Sequence, residues 1–143
     1  MSSQLLLENQ LCFRIYSLEK AISKAYGPLL KELQLTYPQY LVMLVLWQQQ
    51  TITVNQLAKQ LNLDTGTLSP LLKRMERSDL LTRQRSQNDE RKVIIELTAH
   101  GKHLKHKAKL IPAKMLNKTG FPTPQLQALA STLDQLLINI NHQ

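Results

Sequence analysis

Apolar residues at Leu68, Leu71, Leu72 and Met75 fall at i, i+3, i+4 and i+7, the stripe of an amphipathic helix. Asp64 stands where an N-cap belongs, its carboxylate placed to accept from the free amides of the first turn. The opposite side carries Gly66, Ser69, Pro70, Lys73 and Arg77, with Thr67 and Arg74 beside them. Small, hydroxylated residues thus give way to cations along one face. That gradient suits a helix whose N-terminal end enters a DNA major groove while its later turns meet phosphates. Pro70 removes a bond to the Gly66 carbonyl, so a local kink is expected there.

Period-two patterns follow in Leu81–Arg85 and in Lys92–Leu97, where Val93, Ile95 and Leu97 alternate with Ile94 and Glu96. The polar link SQNDER ends in Arg91, so these strands form a hairpin with a basic tip. Upstream, Thr53 and Gln56 make a capping box for a helix bearing Val54, Leu57, Ala58 and Leu61 on one face. Asn62-Leu63 is a tight turn into the helix at Asp64, and two short helices around such a turn are a helix-turn-helix. With the hairpin after it, the pattern predicts a winged helix.

The flanks are helical. Residues 5–26 show Leu11, Ile15, Leu18, Ile22 and Ala25 in steps of four and three, and Gly27-Pro28 is expected to end that helix. A short helix over Leu29–Leu33 precedes a second capping box, Thr36 with Gln39, and Pro38 sits in the permissive first turn. The run YLVMLVLW is apolar nearly all round and predicts a buried central helix. After Leu97-Thr98 comes a helix that Pro112 is expected to end or bend. Thr123 is then expected to cap a last helix carrying Leu126, Leu129, Leu133, Leu136 and Ile140. Packing the terminal stripes against a second copy would bury them, with an a/d-like seam as the form. Five helical patterns against two short strands predict a mainly α fold with a small β-wing. The boundaries are one domain over 1–143, with a winged helix-turn-helix core at about 36–98. Dimerisation helices are expected at about 5–33 and 99–141.

Composition narrows the partners. In 143 residues, 18 Lys and Arg against 10 Asp and Glu give a net charge of +8, which favours a polyanion such as double-stranded DNA. The one cysteine, Cys12, excludes an internal disulfide and fits a reducing cytoplasm. The longest apolar run, Tyr40 to Trp47, is too short to span a bilayer, so no membrane role is expected. His100, His103 and His106 recur every third residue, but lysines surround them and no carboxylate or thiol follows, so no metal is expected. No phosphate loop, dinucleotide fingerprint or nucleophile elbow is present, and neither a cofactor nor an enzyme is indicated.

Asp89-Glu90-Arg91 followed by Leu97-Thr98 resembles the wing signature of the MarR family of winged-helix regulators. NQLCFRIYS at 9–17, AYGPLL at 25–30, LTYPQYLVMLVLW at 35–47 and LDTGTLSPLLKRME at 63–76 resemble its organic-hydroperoxide-responsive, one-cysteine branch. The resemblance implies a homodimeric repressor on an inverted-repeat operator. Arg91, positioned by Asp89, would enter a minor groove and read its width. Thr65, Thr67, Ser69 and Pro70 would face the major groove, with Asp64 at the helix start and Lys73, Arg74 and Arg77 towards phosphates. Cys12 would be the peroxide-sensing thiol, with Tyr26 and Tyr37 of the other subunit as hydrogen-bond donors and Tyr16 close by. A thiolate attacks peroxide, and those hydroxyls would favour the charged form. The resemblance implies an organic hydroperoxide as inducer and leaves open a mixed disulfide of oxidised Cys12 with a low-molecular-weight thiol. Two alternatives stand beside it: a repressor released by a small aromatic ligand with Cys12 structural, and a thiol peroxidase.

Overall fold

The computed structural model describes residues 2–142, in two compact units, Met1–Leu110 and Ile111–Gln143. In the first unit, two 3-10 turns, Ser3–Leu5 and Leu7–Asn9, precede helix α1, Leu11–Leu30. Then come α2 (Tyr37–Gln49), β1 (Thr51–Thr53), α3 (Val54–Leu61), α4 (Thr65–Arg77), β2 (Leu81–Arg85), β3 (Val93–Leu97) and α5 (Ala99–Ala108). The second unit holds α6, Ile111–Lys118, and α7, Thr123–Asn141. This is a mainly α chain with a small antiparallel sheet in the order β1-β3-β2.

Both expected capping boxes form. Thr36 Oγ1 accepts from the Gln39 amide while Gln39 Oε1 accepts from the Thr36 amide, and Thr53 and Gln56 repeat the pattern. Asp64 caps α4, accepting from the Thr67 amide at 2.6 Å. The core gathers Val42, Met43 and Leu46 of α2, Leu57 of α3, Leu68, Leu72 and Met75 of α4, and Ile52, Leu81 and Ile95 of the sheet, all fully or nearly fully buried.

Several boundaries differ from the expectation, each for a local reason. The first helix begins at Leu11 rather than residue 5. The side-chain amides of Asn9 and Gln10 donate back to the carbonyls of Ser3 and Gln4, which holds the preceding turns in 3-10 form. Gly27-Pro28 does not end α1. The helix continues to Leu30, whose complete burial offsets the bond that Pro28 removes, and the expected helix over Leu29–Leu33 is reduced to a 3-10 turn at Lys31–Leu33. Left-handed Gln34, at φ 55°, then reverses the chain. The third strand, β1, carries too few residues for a period, and its last member, Thr53, is also the cap of α3. Pro112 lies in the first turn of α6 instead of ending a longer helix. Thr123 is the first residue of α7, and Pro122 is the N-cap, its carbonyl accepting from the Gln125 and Leu126 amides. Helix α4 runs uninterrupted through Pro70.

One close approach locks α5 to the root of the hairpin. The Thr98 hydroxyl donates to the Asp79 carbonyl at 2.6 Å, and the Thr98 amide donates to the Leu80 carbonyl at 3.1 Å. Gly101 packs directly on that Leu80 carbonyl, where a Cβ would overlap the oxygen and a Leu97 methyl. Since the obstacle is backbone, Gly101→Ala is expected to cost about 1–3 kcal/mol by overpacking. Denaturant unfolding checks this, and an unchanged midpoint would show that the strand root shifts freely.

Candidate nucleic-acid interface and thiol site

Asn62, left-handed at φ 56°, ends α3, and its amide closes onto the last turn. Three residues, 62–64, therefore separate the helices, and the apolar faces of both turn inward: Leu57 and Ala58 from α3, Leu68, Leu72 and Met75 from α4. What α4 leaves outside is polar: Thr65, Thr67, Pro70, Lys73, Arg74 and Arg77 are exposed, and Ser69 is half-buried.

A cleft runs between α4 and the wing. Thr65 and Ser69 line one wall, Arg91 and Lys92 the other, Thr53 and Asn55 the end at α3, and Leu72 and Val93 its apolar part. The wing tip is held by its own backbone: the Ser86 amide donates to the Lys92 carbonyl at 2.8 Å and the Lys92 amide to the Asp89 carbonyl at 3.0 Å. Asp89 Oδ1 accepts from the Arg91 amide at 3.1 Å and from its Nε at 3.3 Å. That carboxylate orients the guanidinium without covering it, for the Arg91 side chain remains 92% exposed. The arrangement presents a cation to solvent beside a hydroxyl-bearing helix face.

Sequence reasoning missed the polar members Thr53, Asn55, Arg83 and Lys92 of this surface. Lys92 was legible as the neighbour of Arg91, whereas Asn55 carried no signal. Arg83 also lines the cleft, and Glu76 fixes it: Glu76 Oε1 accepts from Arg83 Nη2 at 3.1 Å, and Oε2 accepts from the Arg83 amide at 3.1 Å. This pair ties α4 to β2.

At Asp64 the hydrogen bonds from the Thr67 amide and hydroxyl hold the carboxyl below its ordinary value. A depressed folded value contributes stability that is complete above the ordinary carboxylate range and disappears as pH falls through the lowered value. The stability difference between wild type and Asp64→Ala is therefore expected to be present at neutral pH and to close in acid. Denaturation at a series of pH values measures it, and a gap independent of pH would assign the effect to helix propensity alone.

The thiol residues are distributed differently. Cys12 lies exposed in the first turn of α1. Tyr16, one turn on, sits between Phe13, at 6.4 Å between ring centroids, and the Lys20 ammonium, 4.5 Å from its ring. Tyr26 and Tyr37 stack at 4.5 Å, and Tyr40 lies 5.6 Å from Tyr26. Burial raises the pKa of all three of these hydroxyls, with further contributions from Tyr37 and Tyr40 at Tyr26, from Glu19 at Tyr37, and from Tyr37 at Tyr40. Cys12 and Tyr26 share one helix, fourteen residues or about 21 Å of rise apart, so a single chain does not bring thiol and tyrosines together. His103 and His106 lie 5.5 Å apart on α5 with their rings tilted by 59°, and among the described residues no group of side chains is arranged to hold a metal.

A helix-turn-helix whose second helix stands beside a hairpin with an exposed, carboxylate-oriented arginine defines a winged helix-turn-helix protein. A family model described as transcriptional regulator SarA/Rot matches residues 24–108. The organic hydroperoxide resistance transcriptional regulator of Bacillus subtilis is 47% identical over 137 residues, 96% of this chain and 93% of that protein. The HTH-type transcriptional regulator MgrA of Staphylococcus aureus is 46% identical over 99 residues, 68% of this chain and 67% of that one. Among solved structures, reduced AbfR bound to DNA aligns with a TM-score of 0.77 at 34% identity over 96% of both chains. Escherichia coli MarR in complex with operator DNA shares the fold, with a TM-score of 0.81 at 22% identity over 89% of this chain and 93% of that one. The chain belongs to the SarA/Rot family of transcriptional regulators, and its fold is the winged helix shared with MarR. Its matched family and relatives are regulators of transcription. Among the described residues no helix is long and apolar enough to cross a membrane.

Proposed function

We propose that the protein is a cytoplasmic, homodimeric repressor that binds an inverted-repeat operator and leaves it when an organic hydroperoxide oxidises Cys12. The observation that carries the reading is the division of its parts. The exposed thiol lies at one end of α1 and half-buried Tyr26, stacked on Tyr37 of α2, towards the other, and a second chain running the other way would bring each thiol to the partner's tyrosines. The dimer is further supported by the exposed Leu11, Ile15 and Leu18 of α1 and by α7, which buries none of its residues. Identity to a hydroperoxide resistance regulator supports the inducer class, and a relative solved on DNA supports the operator.

The chemistry balances simply. The Cys12 thiolate attacks the terminal peroxide oxygen, a sulfur–oxygen bond forms as the oxygen–oxygen bond breaks, and the alkoxide takes a proton to leave as alcohol. Sulfur, oxidised by two electrons, becomes sulfenic acid, which a low-molecular-weight thiol converts to a mixed disulfide with loss of water. Either product replaces an anion with a larger group and displaces the tyrosines. Titrating an operator complex with organic hydroperoxide and, separately, with salicylate-like acids tests the reading; release by the acids alone would assign control to a ligand pocket instead.

The two kinds of cation should separate in the same assay. Lys73→Ala is expected to weaken all sequences alike and to lower the salt slope by about one. Arg91→Ala is expected to cost most on sites with a narrow minor groove. Equal losses on A-tract and G·C-flanked sites would reduce the wing to a phosphate clamp.

A further inference from the structure

We propose that Trp47 is a positioning residue that couples the tyrosine pair to the root of the wing. The inference rests on the redox reading above and names the part of the fold that carries the signal. Tyr37, Tyr40 and Trp47 lie along one side of α2, and Tyr26 of α1 stacks on the first of them at 4.5 Å and meets the second at a tilt of 39° and 5.6 Å. Tyr40, 2% exposed, meets the Trp47 ring edge-on at 6.4 Å and 70°. Trp47 Nε1 then donates a buried hydrogen bond to the Gly101 carbonyl at 2.9 Å, bridging α2 to α5 across 54 residues of sequence.

Gly101 is no neutral anchor. Its amide donates to Thr98 Oγ1 at 3.0 Å, that hydroxyl donates to the Asp79 carbonyl at 2.6 Å, and its Cα rests on the Leu80 carbonyl. Asp79 and Leu80 immediately precede β2, and Thr98 immediately follows β3. Both strands of the wing are thus rooted in the few atoms that the Trp47 indole holds. Packed aromatic rings do not deform continuously, so displacing Tyr26 or Tyr37 requires Tyr40 and Trp47 to adjust. The indole bond passes that adjustment to α5, and the absence of clearance at Gly101 passes it to the wing. Removing the bond while keeping an aromatic ring should leave both ends intact and disconnect them.

The test compares full-length wild type with Trp47→Phe. Three quantities are measured: operator affinity reduced, operator affinity after organic hydroperoxide, and the rate of Cys12 thiol loss. Trp47→Phe is expected to bind the operator as wild type does when reduced and to lose its thiol at the wild-type rate. The ratio of reduced to oxidised affinities should fall about ten-fold, within the range of ordinary coupling factors. A merely structural role would lower both affinities together and leave the ratio unchanged, which overturns the proposal. A wild-type operator complex that survives oxidation sinks the redox reading and the coupling with it; release of both proteins to the same degree sinks the coupling alone. Trp47 is the sole tryptophan, so its emission gives a second reading that needs no variant at this position. Emission must shift when wild type is oxidised and stay constant in Cys12→Ser, and an unshifted wild-type spectrum overturns the proposal.

Discussion

Cys12→Ser is expected to hold its operator at wild-type strength and to remain bound at hydroperoxide doses that empty the wild-type complex. The hydroxyl fills nearly the same space but does not attack peroxide, so the sulfur–oxygen bond never forms. Cys12 is exposed, and no helix or strand of the candidate DNA-facing surface begins before Thr51. Stability should therefore stay within about 0.5 kcal/mol of wild type, as for surface substitutions generally. Anisotropy of a labelled operator duplex, titrated with an organic hydroperoxide, measures the response directly. Release of the serine variant at the wild-type dose would move the sensor elsewhere in the molecule.

The largest expected loss of stability comes from Leu72→Ala. Leu72 is 0% exposed, flanked on the same face of α4 by Leu68 and Met75, and it forms part of the apolar lining of the cleft beside the wing. Truncation removes buried methyl and methylene contacts and leaves a cavity between rigid elements, a cost of about 2–5 kcal/mol. Against a typical total of about 5–15 kcal/mol, that is a large fraction. Urea unfolding should show a lower midpoint at unchanged slope, with a much smaller change for half-buried Leu71→Ala. Equal losses at the two positions would mean that α4 is not seated by the face described.

The recognition helix and wing were legible because several local signals agreed there. Asp64 as cap, the Leu68–Met75 stripe and the alternation through Val93, Ile95 and Leu97 each select the same structure. The failures have a common cause, in that tertiary or side-chain interactions outweighed a local rule. Pro28 breaks helices in isolation, but two more residues of α1 bury Leu30 completely. Residues 5–10 carry helix-permitting side chains, yet the side-chain amides of Asn9 and Gln10 donate to upstream carbonyls. Thr51–Thr53 is too short to show a period and becomes a strand only because Ile52 pairs opposite Ile95. At the candidate interface, Thr65, Ser69 and Arg91 line one cleft, but periodicity gives no sign that Asn55 and Arg83 belong with them. The roles proposed for the thiol and the tyrosines rest on family resemblance, because helical rise places Cys12 and Tyr26 far apart on one element.

The sheet has two free margins, and both are guarded against recruiting a stranger. β1 offers three residues, too short a template for stable pairing. β2 alternates Thr82 and Gln84 with Arg83 and Arg85, and the Arg83 amide is already occupied by the Glu76 carboxylate. An incoming strand would have to displace that carboxylate and sit against two guanidinium groups. Neighbouring copies therefore have little means of stitching their wings into a shared β-ribbon.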